Sequence, residues 1–239
     1  GSITFANGAT LNRIAAAATI AGNRPTTQSG DTYNVVYTGG TITTSLELPD
    51  PSNDTDLGNI TIASGTINLA QDLVINGIVN LNGGTFVLGT NTITMEGSAW
   101  NDNAGTFSVG TGTVIFNSTA GATIGGSSVP QFGNLTLNDN TTLTFPSGVI
   151  NVSGDLQIGS SGILNSNNGT LTLNGATSTN FSGGGKTYRN ITLNKTVSSD
   201  VTLTSGVNLT GLLTVTSNGS DFASNGNLTL ISNASGTAS

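Results

Sequence analysis

Histidine and cysteine are both missing from the 239 residues, so any acid–base, nucleophilic or metal chemistry rests on ten Asp, two Glu and five basic side chains. The densest acidic cluster is Asp50-Pro51-Ser52-Asn53-Asp54-Thr55-Asp56. Asp50, Asn53, Asp54 and Asp56 bring hard oxygen donors close together, the donor set that calcium accepts. The stretch departs from the helix–loop–helix calcium pattern, because no Glu falls at the required place after Asp54-Thr55-Asp56-Leu57-Gly58. A polar loop explains the same residues, and both readings stand at this point. No other cofactor is expected.

The remaining acids are scattered. Asp72, Asp102, Asp139, Asp155, Asp200 and Asp221 are each flanked by turn residues and read as solvated turn aspartates. Solenoid enzymes that cleave polysaccharides cluster their carboxylates on one face. Scattered acids without His or Cys offer weak acid–base options, so no catalysis is expected and no catalytic residue is assigned. Lys186, Arg189 and Lys195 follow Gly183-Gly184-Gly185, but the P-loop spacing and the following helix are missing, and surface charge explains them. Thr-x-Thr pairs at Thr41/Thr43, Thr92/Thr94, Thr142/Thr144, Thr170/Thr172 and Thr202/Thr204 resemble the surface of an ice-binding solenoid. These pairs are not evenly spaced along the chain, and the strand preference of Thr accounts for them. Trp100, Tyr188, Phe132 and Phe181 are expected in a core rather than stacked on sugars.

Composition limits the frame that must hold these residues. Gly, Asn, Thr and Ser together make 130 of the 239 residues, charged residues are 7% and hydrophobic residues 35%. That inventory argues against a helical or α/β enzyme, and the low charge argues against an expanded disordered chain. A net charge of −7 with five basic residues gives no phosphate-neutralising surface, which excludes nucleic acid. No apolar run approaches the roughly 20 residues that span a bilayer, so membrane insertion is not expected. The start at Gly1-Ser2, without a signal peptide, suits a processed secreted protein or an excised piece of a longer one.

Internal repetition is the strongest signal. Gly112-Thr113-Val114-Ile115-Phe116-Asn117 matches Gly169-Thr170-Leu171-Thr172-Leu173-Asn174, and Gly226-Asn227-Leu228-Thr229-Leu230 follows at the same interval of 57. Leu135 matches Ile191, Leu143 matches Val201 and Leu156 matches Leu213 at almost the same offset. Each element alternates apolar residues with Thr between Gly, Asn or Ser, which reads as short strands with one buried face. Leu11 to Ile20 reads as a short helix or another strand. The 57-residue unit divides into three coils of 19, giving about a dozen coils stacked about 4.8 Å apart. The expected fold is therefore all-β, a single right-handed parallel β-helix, or β-solenoid. Residues 1–58 form an irregular N-terminal coil or cap, and residues 59–239 the repetitive solenoid continuous with it. Equivalent Asn residues, Asn117 with Asn174 and Asn138 with Asn194, read either as amide ladders or as ordinary turn residues. Only eight residues follow Leu228 to Ile231, so that end is expected to continue into further chain or to dock on a partner.

The run TYNVVYTGGTITTSLELPDPSNDTDLGNITI (Thr32 to Ile62), the units GTVIFNSTAGATIGGSSVPQFGNLTLN and GTLTLNGATSTNFSGGGKTYRNITLN, and the closing NLTLISNASGTAS together carry a family likeness. Over roughly residues 32–239 the chain resembles the repetitive regions of large secreted surface proteins of Bacteroidetes-type bacteria. Those proteins leave the cell by the type 9 secretion system and include gliding and attachment adhesins. The resemblance implies a secreted or cell-surface location and a structural or adhesive role. Expected partners are other copies of the chain or flanking repeats of a longer one, and surface glycans. A self-assembling filament subunit, an ice-binding protein and a polysaccharide-active enzyme are the alternatives.

Overall fold

The computed structural model describes residues 3–14, 20, 22–50, 56–196, 198–216 and 221–231. The chain divides into two compact units, one comprising Gly1–Val114 with Gly125–Ser128 and the other Ile115–Ile124 with Val129–Ser239. Among the described residues there is no helix, so no helix is long and apolar enough to cross a membrane. Leu11 to Arg13 belong to a strand, while residues 15–19 lie outside the described set.

The first unit holds β1 (Thr10–Arg13), β2 (Tyr33–Tyr37), β3 (Thr41–Thr43), β4 (Leu57–Ile62), β5 (Thr66–Asn68), β6 (Leu73–Ile75), β7 (Ile78–Leu81), β8 (Thr85–Val87), β9 (Thr92–Met95), β10 (Ala99–Asp102) and β11 (Thr106–Ser108). Its strands form three parallel sheets ordered β1-β2-β4-β7-β10, β3-β5-β8-β11 and β6-β9. From β4 onward the chain visits the three sheets in turn, which is the winding of a solenoid. Two strands, β12 (Thr113–Phe116) and β13 (Ala122–Gly125), span the sequence boundaries between units.

The second unit continues with β14 (Gln131–Phe132), β15 (Asn134–Leu137), β16 (Thr142–Thr144), β17 (Val149–Val152), β18 (Leu156–Ile158), β19 (Ile163–Asn165), β20 (Thr170–Gly175), β21 (Thr179–Tyr188), β22 (Asn190–Lys195), β23 (Val201–Leu209), β24 (Leu213–Val215), β25 (Phe222–Ala223) and β26 (Leu228–Leu230). Here too the pairing is parallel, in the orders β13-β16-β19, β14-β17-β20-β22-β24 and β15-β18-β21-β23, with β25 and β26 both on β23.

Each coil averages about 21 residues, and there are about 10 coils. Among the described residues the expected 19 occurs where Ile60 pairs with Val79 and where Ile67 pairs with Phe86; Val79 pairs with Trp100 and Leu135 with Leu156 at steps of 21, and Ile42 pairs with Ile67 at 25. The 57-residue repeat is therefore not three coils. Leu135 lies in β15 and its match Ile191 in β22, which belong to different sheets. Leu156 in β18 and Leu213 in β24 are separated in the same way, as are Leu171 in β20 and Leu228 in β26. The strand motif fits every face, because each face asks only for alternate apolar residues.

That alternation fills the interior. Ile60, Ile62, Val79, Leu81, Phe86, Ile93, Leu135, Leu137, Leu173 and Leu193 point inward and are buried. Trp100, Phe132, Phe181 and Tyr188 are buried as expected, and they pack on neighbouring rings: Trp100 on Phe107 at 4.7 Å, Phe132 on Phe116 at 6.3 Å and Phe181 on Tyr188 at 5.3 Å between centroids. Edge-to-face geometry of this kind adds to the area that the rings bury.

Candidate functional site

The polar side chains converge on the joints between coils. At each corner the backbone leaves the strand ladder, and its N–H needs another acceptor. In some places a backbone carbonyl one coil back supplies it, as Gly89 O does for Thr111 N, and in others a short side chain one coil back does. In the first unit Asn34 Oδ1 accepts from Asn59 N at 2.8 Å, Asn59 Oδ1 from Ile78 N at 2.7 Å, and Asp72 Oδ1 from Thr92 N at 2.8 Å. In the second unit Asn134 Oδ1 accepts from Asp155 N, Asp155 Oδ1 from Asn180 N, and Asp200 Oδ1 from Asp221 N, all within 2.9 Å. Asp139 Oδ1 takes Ser161 N at 2.7 Å. These aspartates, read as solvated turn residues from their neighbours alone, bridge successive coils. The signal that marks Asp72, Asp155 and Asp200 is their place immediately before a strand, whereas Asp139 lies in the turn after β15.

Asn side chains also stack. Asn101 Nδ2 donates to Asn80 Oδ1 at 3.0 Å and Asn103 Nδ2 to Asn82 Oδ1 at 2.8 Å. The expected ladder partners change, because Asn138 meets Asn117, one coil away, whereas Asn174 bonds Gln131 through its side chain. Thr41, Thr66, Thr85 and Thr106 align in register across β3, β5, β8 and β11, a column that the intervals between Thr-x-Thr pairs did not disclose.

The calcium candidates are only partly visible. Asn53 and Asp54 lie outside the described residues, Asp50 is exposed, and Asp56 Oδ2 accepts from Thr27 N at 3.1 Å. Among the described residues no three His, Cys, Asp or Glu side chains group as a metal site would require.

The basic residues do not converge on an anion. Lys186 Nζ donates to Ser160 O at 2.6 Å and Arg189 Nη1 to Thr210 O at 3.1 Å. Gly184 and Gly185, at φ +61° and +72°, form the corner within β21 where its pairing with β23 shifts register. Lys195 points inward after Ile191 and Leu193. Its ammonium reaches Asn174 O at 2.5 Å, one coil back, and Ser153 O at 2.9 Å, two coils back. Burial lowers its pKa from 10.5 to about 8, against a smaller opposing pull from Asp155.

Two further charged sites are buried, and one of them, Asp102, is not the solvated turn residue that its neighbours suggested, because it ends strand β10 on the inward side. Arg13 forms an ion pair with Glu47, both almost wholly buried. Glu47 also accepts from Tyr37 Oη at 2.9 Å and from Ser45 Oγ at 2.9 Å, while Tyr33 Oη bonds the Glu47 carbonyl at 2.8 Å. Burial, then the adjacent Glu47 carboxylate, pushes the Tyr37 phenol well above its ordinary pKa. Asp102 follows Trp100 into the interior, its Oδ1 has no hydrogen-bond partner among the described residues, and burial raises its pKa.

Comparison with protein-family models, with curated proteins and with solved structures found no match.

Proposed function

We propose that this chain is an extracellular structural and adhesive β-solenoid module of a bacterial surface protein, a stiff stalk or fibre segment that works mechanically and without catalysis. It would be carried to the surface as the resembled Bacteroidetes-type proteins are, by type 9 secretion. The observation that carries this reading is the use of the polar side chains. Asp72, Asp139, Asp155 and Asp200, which an enzyme of this fold would gather on one face, each tie a backbone N–H of the next coil instead. Cohesion of this kind is distributed over nearest-neighbour coils, as a repeat that must bear tension requires. Single-molecule force spectroscopy on the purified chain tests the mechanical half; extension at forces typical of an unstructured linker overturns it. Binding of protein-coated beads to bacterial and host cell surfaces tests the adhesive half, and beads no stickier than albumin-coated ones overturn that.

A second reading, end-to-end self-assembly, is favoured by β24 and β26, which are edge strands among the described residues. Val215 and Leu230 are more than half exposed there, beside half-exposed Leu212. Strand edges carrying apolar side chains are templates for further pairing. Electron microscopy at high protein concentration separates filaments from dispersed particles.

A further inference from the structure

We infer that the second unit carries a binding groove for a single neutral sugar ring on the outer face of β18, β21 and β23. The groove has a volume of about 270 Å³ and is lined by Asp155, Leu156, Gln157, Asn180, Ser182 and Thr204. It exists because the ladder is irregular at this point. Phe181 pairs with Leu203, but the next residue, Ser182, pairs with Ser205, which leaves Thr204 as an extra residue in β23. A bulge re-aims the side chain it carries and bends its strand, and bulges recur beside functional sites for that reason. Here Thr204 is turned outward beside the exposed Gln157 and Asn180.

The walls are fixed by their own bonds. Asp155 Oδ1 holds the Asn180 N–H at 2.8 Å, with Oδ2 at 3.4 Å from Asn180 Nδ2. The Ser182 and Ser205 hydroxyls lie 2.9 Å apart, and Ser205 Oγ accepts from Gly184 N at 2.9 Å. Among the described residues the Gln157 amide and the Thr204 hydroxyl make no hydrogen bond to protein and are exposed, so a ligand can reach them. An amide offers a donor and an acceptor in one plane, and a hydroxyl offers either. Adjacent hydroxyls of a pyranose ask for that mixture.

Other ligand classes fit less well. An anion would meet the Asp155 carboxylate, while the Lys195 ammonium is turned inward onto carbonyl oxygens. A cation would find one carboxylate, already engaged by Asn180. The volume falls just below the usual range for drug-sized ligands, which suits one ring with its neighbours left in solvent. No aromatic side chain lines the groove to stack on the ring, so a dissociation constant of about 1 mM is expected.

The inference supplies a ligand class for the adhesive half of the proposed function and rests on that reading for its biological meaning. The test is a nitrogen-15 NMR titration of the full chain with the methyl glycosides of glucose, galactose, mannose and N-acetylglucosamine. The expected result is saturable movement of the Gln157 and Asn180 side-chain amide signals with at least one glycoside. Gln157→Ala and Thr204→Val should each weaken binding about three- to tenfold while leaving the rest of the spectrum in place. No glycoside moving those signals, or binding unaffected by both substitutions, overturns the inference. Beads that adhere while glycosides fail to bind would remove the groove and leave adhesion standing. Glycosides that bind while beads fail to adhere would do the reverse.

Discussion

Asn138 donates its side-chain amide to Oδ1 of Asn117, 2.6 Å away and one coil back. Both residues follow a strand, where the chain turns, and each coil there depends on the previous one for a partner. Replacing Asn138 with Ala should cost about 1 kcal/mol, and a double-mutant cycle with Asn117→Ala should return a coupling of about 0.5–1.5 kcal/mol. Urea denaturation measures both; additive losses would mean that the amides do not act as a pair.

Gly84 has φ +68°, and a Cβ there would sit 2.3 Å from the carbonyl oxygen of Gly65, one coil back. Gly84→Ala should therefore lose more than the roughly 1–3 kcal/mol of backbone strain alone. Gly8 is the control. It has φ +74° and, among the described residues, nothing within 4 Å of an added methyl, so Gly8→Ala should show the strain without the collision. Equal shifts in urea midpoint for the two variants would refute close coil stacking at Gly84.

Arg13 and Glu47 are 34 positions apart and meet inside the first unit. Removing either partner strands a buried charge, so Arg13→Met or Glu47→Leu should each destabilise by about 3–5 kcal/mol. Arg13→Met combined with Glu47→Leu should cost much less than the sum of the single changes. Strict additivity in denaturant midpoints would show that the pair is not coupled.

Asp102 has its pKa raised by burial. Its contribution to stability is complete below the unfolded-state pKa and is lost as pH rises through the folded-state value. Asp102→Asn should therefore gain on the parent as pH rises above the ordinary carboxylate value of about 4. Chemical denaturation at a series of pH values reads this directly; a difference that stays constant would place the carboxyl in water.

Lys195 behaves in the opposite sense, because its pKa falls to about 8 in the folded chain. Between that value and the ordinary 10.5 the unfolded chain holds a proton that the folded chain has released, so stability from this group rises with pH across that window. The gain is about 1–2 kcal/mol once partial solvent screening of the ammonium is allowed for. Lys195→Met should remove that rise, and the difference between the two proteins' pH profiles isolates it from other titrations.

Alternation at Leu171 and Leu173, or at Ile60 and Ile62, is enough to read short strands with one buried face and to place them in a parallel solenoid. The burial of Trp100, Phe132, Phe181 and Tyr188 is legible for the same reason, since a chain this poor in large apolar residues must use them inside. Coil length is not legible. It is set by the corners, and corners of Gly, Asn and Ser accept steps from 19 to 25 residues without disturbing the strand pattern. A motif that suits any of three faces repeats at 57 residues without marking where a coil closes.

Composition and a two-residue period decide which side chains face inward, because that choice is local to each strand. Which residue of one coil lies over which residue of the next is decided only when the coils stack. The Asn117–Asn138 pair, the Arg13–Glu47 contact and the groove beside Thr204 all depend on that stacking, and no period in the chain encodes it.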